Sequence, residues 1–180
     1  VPRLFTGIEI PPAARDGLAL LRGGLPGARW IDSDNYHLTL RFIGDIDGRT
    51  AGEVAGLLST VRRHAFSVEI DGLRSFGTKR PHALIATVAA SRGLTELQAE
   101  HERLLRRLGL PPDPRKFTPH ITLARLKGIA DGPIARYLSE RAPSVPPFSV
   151  DRFVLFSARE SVGGGPYIVE EAYPLAAEAA

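Results

Sequence analysis

Two rhythms of apolar residues alternate along the chain, one of period two and one of helical period. Arg3 to Ile10 reads as a strand stopped by Pro11-Pro12, and Ala13 to Arg22 as a helix ended by Gly23-Gly24. A turn-rich link follows, holding Pro26, Gly27 and the only tryptophan, Trp30. His37 to Ile43 alternates as a strand closed by Gly44, and Thr50 to His64 carries Val54, Leu57, Leu58 and Val61 at helical spacing. Phe66 to Ile70 and His82 to Val88 read as strands. Leu94 to Leu108 is an amphipathic helix with Leu94, Leu97, Leu104, Leu105 and Leu108 inward, stopped by Pro111-Pro112. His120 to Leu126 is a strand and Pro133 to Arg141 a short helix. Phe148 to Phe156 and Tyr167 to Tyr173 are strands joined across Gly163-Gly164-Gly165.

An internal repeat turns this series into an architecture. His37-Leu-Thr-Leu-Arg-Phe-Ile-Gly-Asp-Ile-Asp-Gly48 is similar to His120-Ile-Thr-Leu-Ala-Arg-Leu-Lys-Gly-Ile-Ala-Asp-Gly132, with Ala124 read as an inserted residue. A helix follows each stretch, and after it the same tripeptide, Phe66-Ser67-Val68 and Phe148-Ser149-Val150. The strand and helix of Arg3 to Arg22 answer those of His82 to Leu108. The predicted fold is α+β: two pseudo-symmetric lobes of antiparallel sheet with outer helices and a cleft between them, together making a single domain over residues 1–180. Equivalent strands would bring the two histidines to that cleft.

Composition narrows the chemistry. Of 23 basic residues 20 are arginine, against 20 acidic residues, for a net charge of +3. Arginine suits phosphate because its planar fork donates two hydrogen bonds to one anion, although so small a net charge does not by itself announce nucleic acid. The absence of cysteine removes disulfides, thiolate nucleophiles and Cys-ligated zinc. No apolar run approaches a membrane span, and Val1-Pro2-Arg3-Leu4-Phe5 lacks a signal-peptide layout. A cytoplasmic location, no membrane association and a monomer are the expectations.

The sharpest motif is His-x-Thr-Leu, at His37-Leu38-Thr39-Leu40 and His120-Ile121-Thr122-Leu123. Strict alternation sets His37, Thr39 and Arg41 on one strand face, with Leu38, Leu40 and Phe42 on the other. His120 and Thr122 share a face in the same way. Imidazole titrates near neutrality, so one ring can act as base while the other acts as acid. The neighbouring hydroxyls can donate to nonbridging oxygens of a phosphodiester. With threonine and arginine neutralising the phosphate, the chemistry requires no metal and no cofactor.

At these residues the chain resembles the two-histidine (2H) phosphoesterase superfamily, and within it the bacterial and archaeal RNA 2′,3′-cyclic phosphodiesterases, historically called 2′-5′ RNA ligases. The likeness covers nearly the whole chain, including Arg3-Leu4-Phe5 through Pro11, Trp30 through Gly44 and Lys116 through Arg125. His82-Ala83-Leu84-Ile85 departs from the more usual Arg-Val-Leu-Trp of the family. The resemblance implies that His37 and His120 are the catalytic pair and that Thr39 and Thr122 hold the phosphate. It also implies that His37 protonates the leaving ribose oxygen, that His120 activates water, and that the product is a 2′-phosphate. Arg125 stands opposite His120 under strict alternation, and a bulge at Ala124 would re-aim it. Arg41, Arg115 and Lys116 are further phosphate candidates. The expected partner is RNA ending in a 2′,3′-cyclic phosphate. The alternatives are 2′-5′ ligation, a small-nucleotide cyclic phosphodiesterase and a non-catalytic RNA-binding module.

The other histidines read differently. His64 ends a helix and caps its carbonyls. His82 begins a strand and is a candidate substrate contact. His101, within His101-Glu102-Arg103, reads as solvated. Asp32, Asp34, Asp45 and Asp47 fall in turns, and no metal-ligand spacing joins them. Trp30 and Phe42 read as core residues, with base stacking as the alternative role.

Overall fold

The computed structural model describes residues 3–77, 79–158 and 165–178. In chain order its strands are β1 (Arg3–Glu9), β2 (Arg29–Trp30), β3 (His37–Asp45), β4 (Phe66–Val68), β5 (Ile70–Phe76), β6 (Ala83–Val88), β7 (His120–Arg125), β8 (Phe148–Val150), β9 (Arg152–Ala158) and β10 (Tyr167–Pro174). Its helices are α1 (Pro12–Ala19), α2 (Gly48–Leu58), α3 (Arg92–Arg107) and α4 (Asp131–Glu140). The fold is α+β. One antiparallel sheet runs in the order β10-β9-β1-β3-β7-β6-β5, with β2 added beside β7, and β4 pairs with β8.

The pseudo-two-fold is visible in the pairings. β3 and β7 register only at Leu38 and Ile121, which are equivalent positions of the repeat. The repeated tripeptides pair with each other, Ser67 facing Ser149. Each half meets its own image at these two places, so the axis passes through both. The lobes are not contiguous in sequence, however. After β4 the chain enters the second lobe, where β5 pairs with β6; after β8 it enters the first, where β9 pairs with β1. Strand β5 lies in a stretch that the apolar pattern did not mark. Gly72 and Arg74 interrupt its alternation, and its extended form comes from pairing with β6.

Helices cover the face opposite the motif threonines. Leu38, Leu40, Ile121 and Leu123 lie in one apolar cluster with Leu18, Val54, Leu58, Leu94, Leu97 and Leu105. Each such side chain contributes about 1.5–3 kcal/mol by leaving water. Asp47 caps α2 by accepting from the Thr50 amide at 2.7 Å, and Ser91 caps α3 through the Leu94 amide. The second helix stops at Leu58, earlier than its apolar spacing predicts, so His64 caps no helix end; it bridges to Ala176 instead. His101 is also corrected. It is 0% exposed on the inner face of α3, where Nδ1 meets Thr6 Oγ1 at 2.8 Å and the ring lies 4.7 Å from Phe153. Gly163 and Gly164 lie outside the described residues.

Candidate active site

Both motif strands carry a bulge at the same place. Along β1–β3, Gly7 pairs with Thr39 and Thr6 with Arg41, passing over Leu40. Along β6–β7, Ile85 pairs with Thr122 and Leu84 with Ala124, passing over Leu123. After Thr39 and Thr122, two consecutive residues therefore turn inward, Leu40-Arg41 and Leu123-Ala124, and all four are buried. The next residues, Phe42 and Arg125, return to the face of the histidines. The repeat thus aligns without a gap here: Arg41 answers Ala124, and Phe42 answers Arg125.

Two readings change as a result. Arg41 does not line the cleft. It is 7% exposed, its Nε stands 2.6 Å from a Glu102 carboxylate oxygen, and it donates to the carbonyls of Phe42 and Pro111. Phe42 is not a core residue. It is 43% exposed on the cleft side, beside Phe5 of β1. Trp30 is packed inward, its ring 5.9 Å from that of Tyr137.

The histidines open their strands and are fixed by matching hydrogen bonds. His37 Nδ1 lies 3.0 Å from the Asn35 carbonyl oxygen, and His120 Nδ1 lies 2.7 Å from that of Thr118, two residues upstream in each case. A carbonyl only accepts, so each Nδ1 carries the hydrogen. Each Nε2 is left to exchange a proton in the cleft. Antiparallel pairing at Leu38 and Ile121 sets His37 across from Thr122 and Thr39 across from His120. Neither threonine hydroxyl is engaged by another described residue, so both remain available as donors.

The surroundings of the two rings differ. His37 sits among Phe5, Phe156 and Tyr167, with ring centres at 5.0, 5.6 and 4.7 Å. His120 meets Phe76 edge-on at 4.7 Å. Desolvation is the main cause that lowers His37 to about 4, and His120 and Arg125 push it in the same direction. His120 is also lowered, by desolvation first and then by Arg125 and Arg115, against the Thr118 hydrogen bond. Arg125 thus acts electrostatically on both rings. Arg115 is exposed and ion-paired with Asp113 at 3.5 Å, and Lys116 is exposed beside it; both lie on the loop before β7. His82 is exposed, with Nδ1 2.9 Å from the Phe76 carbonyl oxygen.

A cavity of about 370 Å³ continues the cleft from His37 past Glu9, Asp34, Asp151 and Tyr167. Gly7, opposite Thr39, has no room for a side chain: a Cβ there would stand 2.8 Å from the Leu38 carbonyl oxygen and 3.1 Å from the Phe156 ring. Among the described residues, no three His, Asp or Glu side chains come together as a metal-binding group, and no helix is long and apolar enough to cross a membrane.

Sequence reasoning missed the aromatic wall and the orienting carbonyls. The second had a signal, because Asn35-Tyr36-His37 and Thr118-Pro119-His120 occupy equivalent places in the repeat.

Comparison with known proteins gives the same division. A family model described as LigT like Phosphoesterase matches the chain twice, over residues 8–86 and 85–167. An RNA 2′,3′-cyclic phosphodiesterase of Aeropyrum pernix is 36% identical over 121 residues, covering 66% of this chain and 67% of that protein. One of Aquifex aeolicus is 32% identical over 152 residues, covering 81% of each. A solved protein of Thermus thermophilus superposes with a TM-score of 0.80 at 25% identity, over 98% of this chain and 100% of the other. With both halves matched by the family model, the chain belongs to the LigT-like family of 2H phosphoesterases.

Proposed function

We propose that this protein hydrolyses the 2′,3′-cyclic phosphate ends of RNA to 2′-phosphomonoesters, without a metal ion, by acid–base catalysis between His37 and His120. The observation that carries the reading is the matched pair of imidazoles, each with Nδ1 held by a backbone carbonyl and Nε2 left to the cleft. The names of the relatives support the substrate class.

One ring takes a proton from water as the water oxygen attacks phosphorus. The bond from phosphorus to O3′ breaks, and the other ring protonates O3′, leaving a 2′-phosphate and a 3′-hydroxyl. Thr39 and Thr122 donate to the nonbridging oxygens as charge builds on them, while Arg125, one place further along β7, holds RNA phosphate beside them. Arg115 and Lys116 flank the approach as secondary contacts. Arg41, buried against Glu102, has no part in this step. The same step with a 5′-hydroxyl in place of water, O3′ again leaving and taking the proton, would join two RNAs through a 2′-5′ linkage.

The resemblance makes His37 the acid. In the unliganded protein, however, the aromatic enclosure of His37 favours its neutral form, which is the form a base needs. A nitrophenyl phosphodiester separates the assignments, because its leaving group needs no proton. The variant lacking the acid is rescued on it, and the variant lacking the base is not.

The deciding experiment is incubation with an oligoribonucleotide ending in 2′,3′-cyclic phosphate, in excess chelator, followed by end-group identification. A 2′-phosphate is expected. His37→Ala and His120→Ala should each lose on the order of 100-fold or more in kcat, and the double variant little more, because the pair acts as a unit. Full activity in either single variant overturns the mechanism. Dependence on a divalent ion overturns its metal independence.

A further inference from the structure

The cleft face of the second lobe holds a pair of like charges that the fold leaves unneutralised. β2 lies along β7 with Arg29 opposite Arg125 and Trp30 opposite Ala124. Ala124 is buried and Trp30 packs with the helices, so this register sends Arg29 to the cleft side with Arg125. Residues directly opposite in an antiparallel pair have Cβ atoms ~5 Å apart, and like charges there repel. Several other described arginines stand beside carboxylates, as in Arg3–Asp45, Arg63–Glu96 and Arg152–Glu9, and others, such as Arg74, do not; what sets Arg29 and Arg125 apart is that they face each other across one strand pair. Among the described residues neither Arg29 nor Arg125 has such a partner, and both are exposed. A bridging anion would turn their repulsion into a two-armed clamp.

Its position suggests which anion. The β7 bulge makes Thr122 and Arg125 successive residues on the cleft face, about two strand steps or ~7 Å apart. That is close to one nucleotide of RNA backbone. Arg74 of β5 faces the same side, in line with Ile85 and Thr122. In the first lobe the place of Arg125 is taken by Phe42, beside Phe5 and Phe156, so an aromatic ring stands there instead of a cation.

We propose that Arg29 and Arg125 together bind the phosphodiester immediately upstream of the terminal cyclic phosphate, so that the protein prefers oligoribonucleotide ends to cyclic mononucleotides. This rests on the function proposed above and adds a subsite to it.

The test compares kcat/KM for a 2′,3′-cyclic mononucleotide and for a short oligoribonucleotide with the same terminal nucleoside and cyclic phosphate. The proteins are the wild type, Arg29→Gln, Arg29→Lys and a control, Arg49→Gln, which alters an exposed arginine of α2. In Arg29→Gln the oligonucleotide-to-mononucleotide ratio should fall about ten-fold, the scale of one charge-assisted contact. Arg29→Lys should restore part of it and Arg49→Gln should leave it at the wild-type value. The salt slope of oligonucleotide binding should shrink by ~0.7 in Arg29→Gln, the loss of one phosphate contact. An unchanged ratio, or equal losses on both substrates, overturns the subsite. If the wild type hydrolyses neither substrate, the functional reading fails separately. Titration of a 3′-phosphorylated oligoribonucleotide then still tests Arg29, and equal affinity of wild type and Arg29→Gln would end the proposal.

Discussion

The enclosed His101 makes a quantitative demand on acid stability. Burial holds its pKa at about 3, against about 6.5 for an unfolded histidine. A group whose folded pKa is depressed in this way is neutral in the native protein and protonated in the unfolded chain between those values. Its contribution to stability is therefore complete above pH 6.5 and is lost as pH falls towards 3. The slope is about 1.4 kcal/mol per pH unit for one differential proton, and the whole window is worth roughly 5 kcal/mol. His37, lowered to about 4, adds a second proton of the same sign over a shorter window. His101→Leu removes one proton from this linkage and keeps the ring site apolar. It also strands the Thr6 hydroxyl that now meets Nδ1, at a cost of about 1–3 kcal/mol, so Thr6→Val/His101→Leu is the companion variant. Urea unfolding at intervals from pH 7 to 5 gives stability against pH for each protein. The wild-type slope should exceed that of either variant by about half a proton, ~0.7 kcal/mol per unit, at pH 6.5, rising to close to one proton, ~1.4 kcal/mol per unit, near pH 5. Parallel curves would show that His101 is not held neutral by burial.

Three other outcomes follow from the site. Arg41→Met should cost about 3–5 kcal/mol in urea unfolding, because it leaves Glu102 as an uncompensated, largely buried charge; normal stability with weakened substrate binding would return Arg41 to the cleft. Phe42→Ala should change stability by less than about 1 kcal/mol, since the ring is largely outside the core, while raising KM for RNA through a lost stacking surface worth roughly 1–3 kcal/mol; an unchanged KM removes that surface. Both imidazoles proposed as the catalytic pair are depressed. The kcat/KM bell should therefore peak between about pH 4 and 6.5, and the kcat bell should lie higher, because a bound phosphate anion raises both histidines. A kcat/KM optimum above neutrality contradicts the aromatic enclosure of His37.

The repeat was readable because symmetry acts on residue types. His37 and His120, Thr39 and Thr122, and the two Phe-Ser-Val tripeptides each occupy the same geometry twice, and the tripeptides even pair with one another. Period-two reasoning fails where opposition is not one to one. A bulge adds a residue to one strand and reverses every side chain beyond it. That is why Arg41 and Phe42 were assigned to each other's faces, while Arg125 emerged on the side of His120. The exchange of β5 and β9 between lobes leaves no mark on local apolar rhythm, since both are short extended segments just after β4 and β8. His101 was readable and misjudged. Its neighbours Glu102 and Arg103 are charged, yet its spacing from Leu97, Leu104 and Leu105 places it on the apolar stripe of α3.

The two-fold explains why the rings match, and departures from it explain how they can differ. Equivalent strands, equivalent bulges and equivalent carbonyls hold both imidazoles in one tautomer, with Nε2 presented from both lobes. A site with full symmetry would give both rings one proton affinity and would leave open which of them acts as acid and which as base. Symmetry is broken at the positions that follow the bulge and at the strands beside it. Phe42 stands where Arg125 stands, and β9 and β10 supply Phe156 and Tyr167 around His37, where β5 supplies Phe76 beside His120. The apolar wall withholds solvent from one ring, while arginines set positive charge beside the other. The chain thus sets geometry by duplication and chemistry by substitution, and the histidines themselves stay identical.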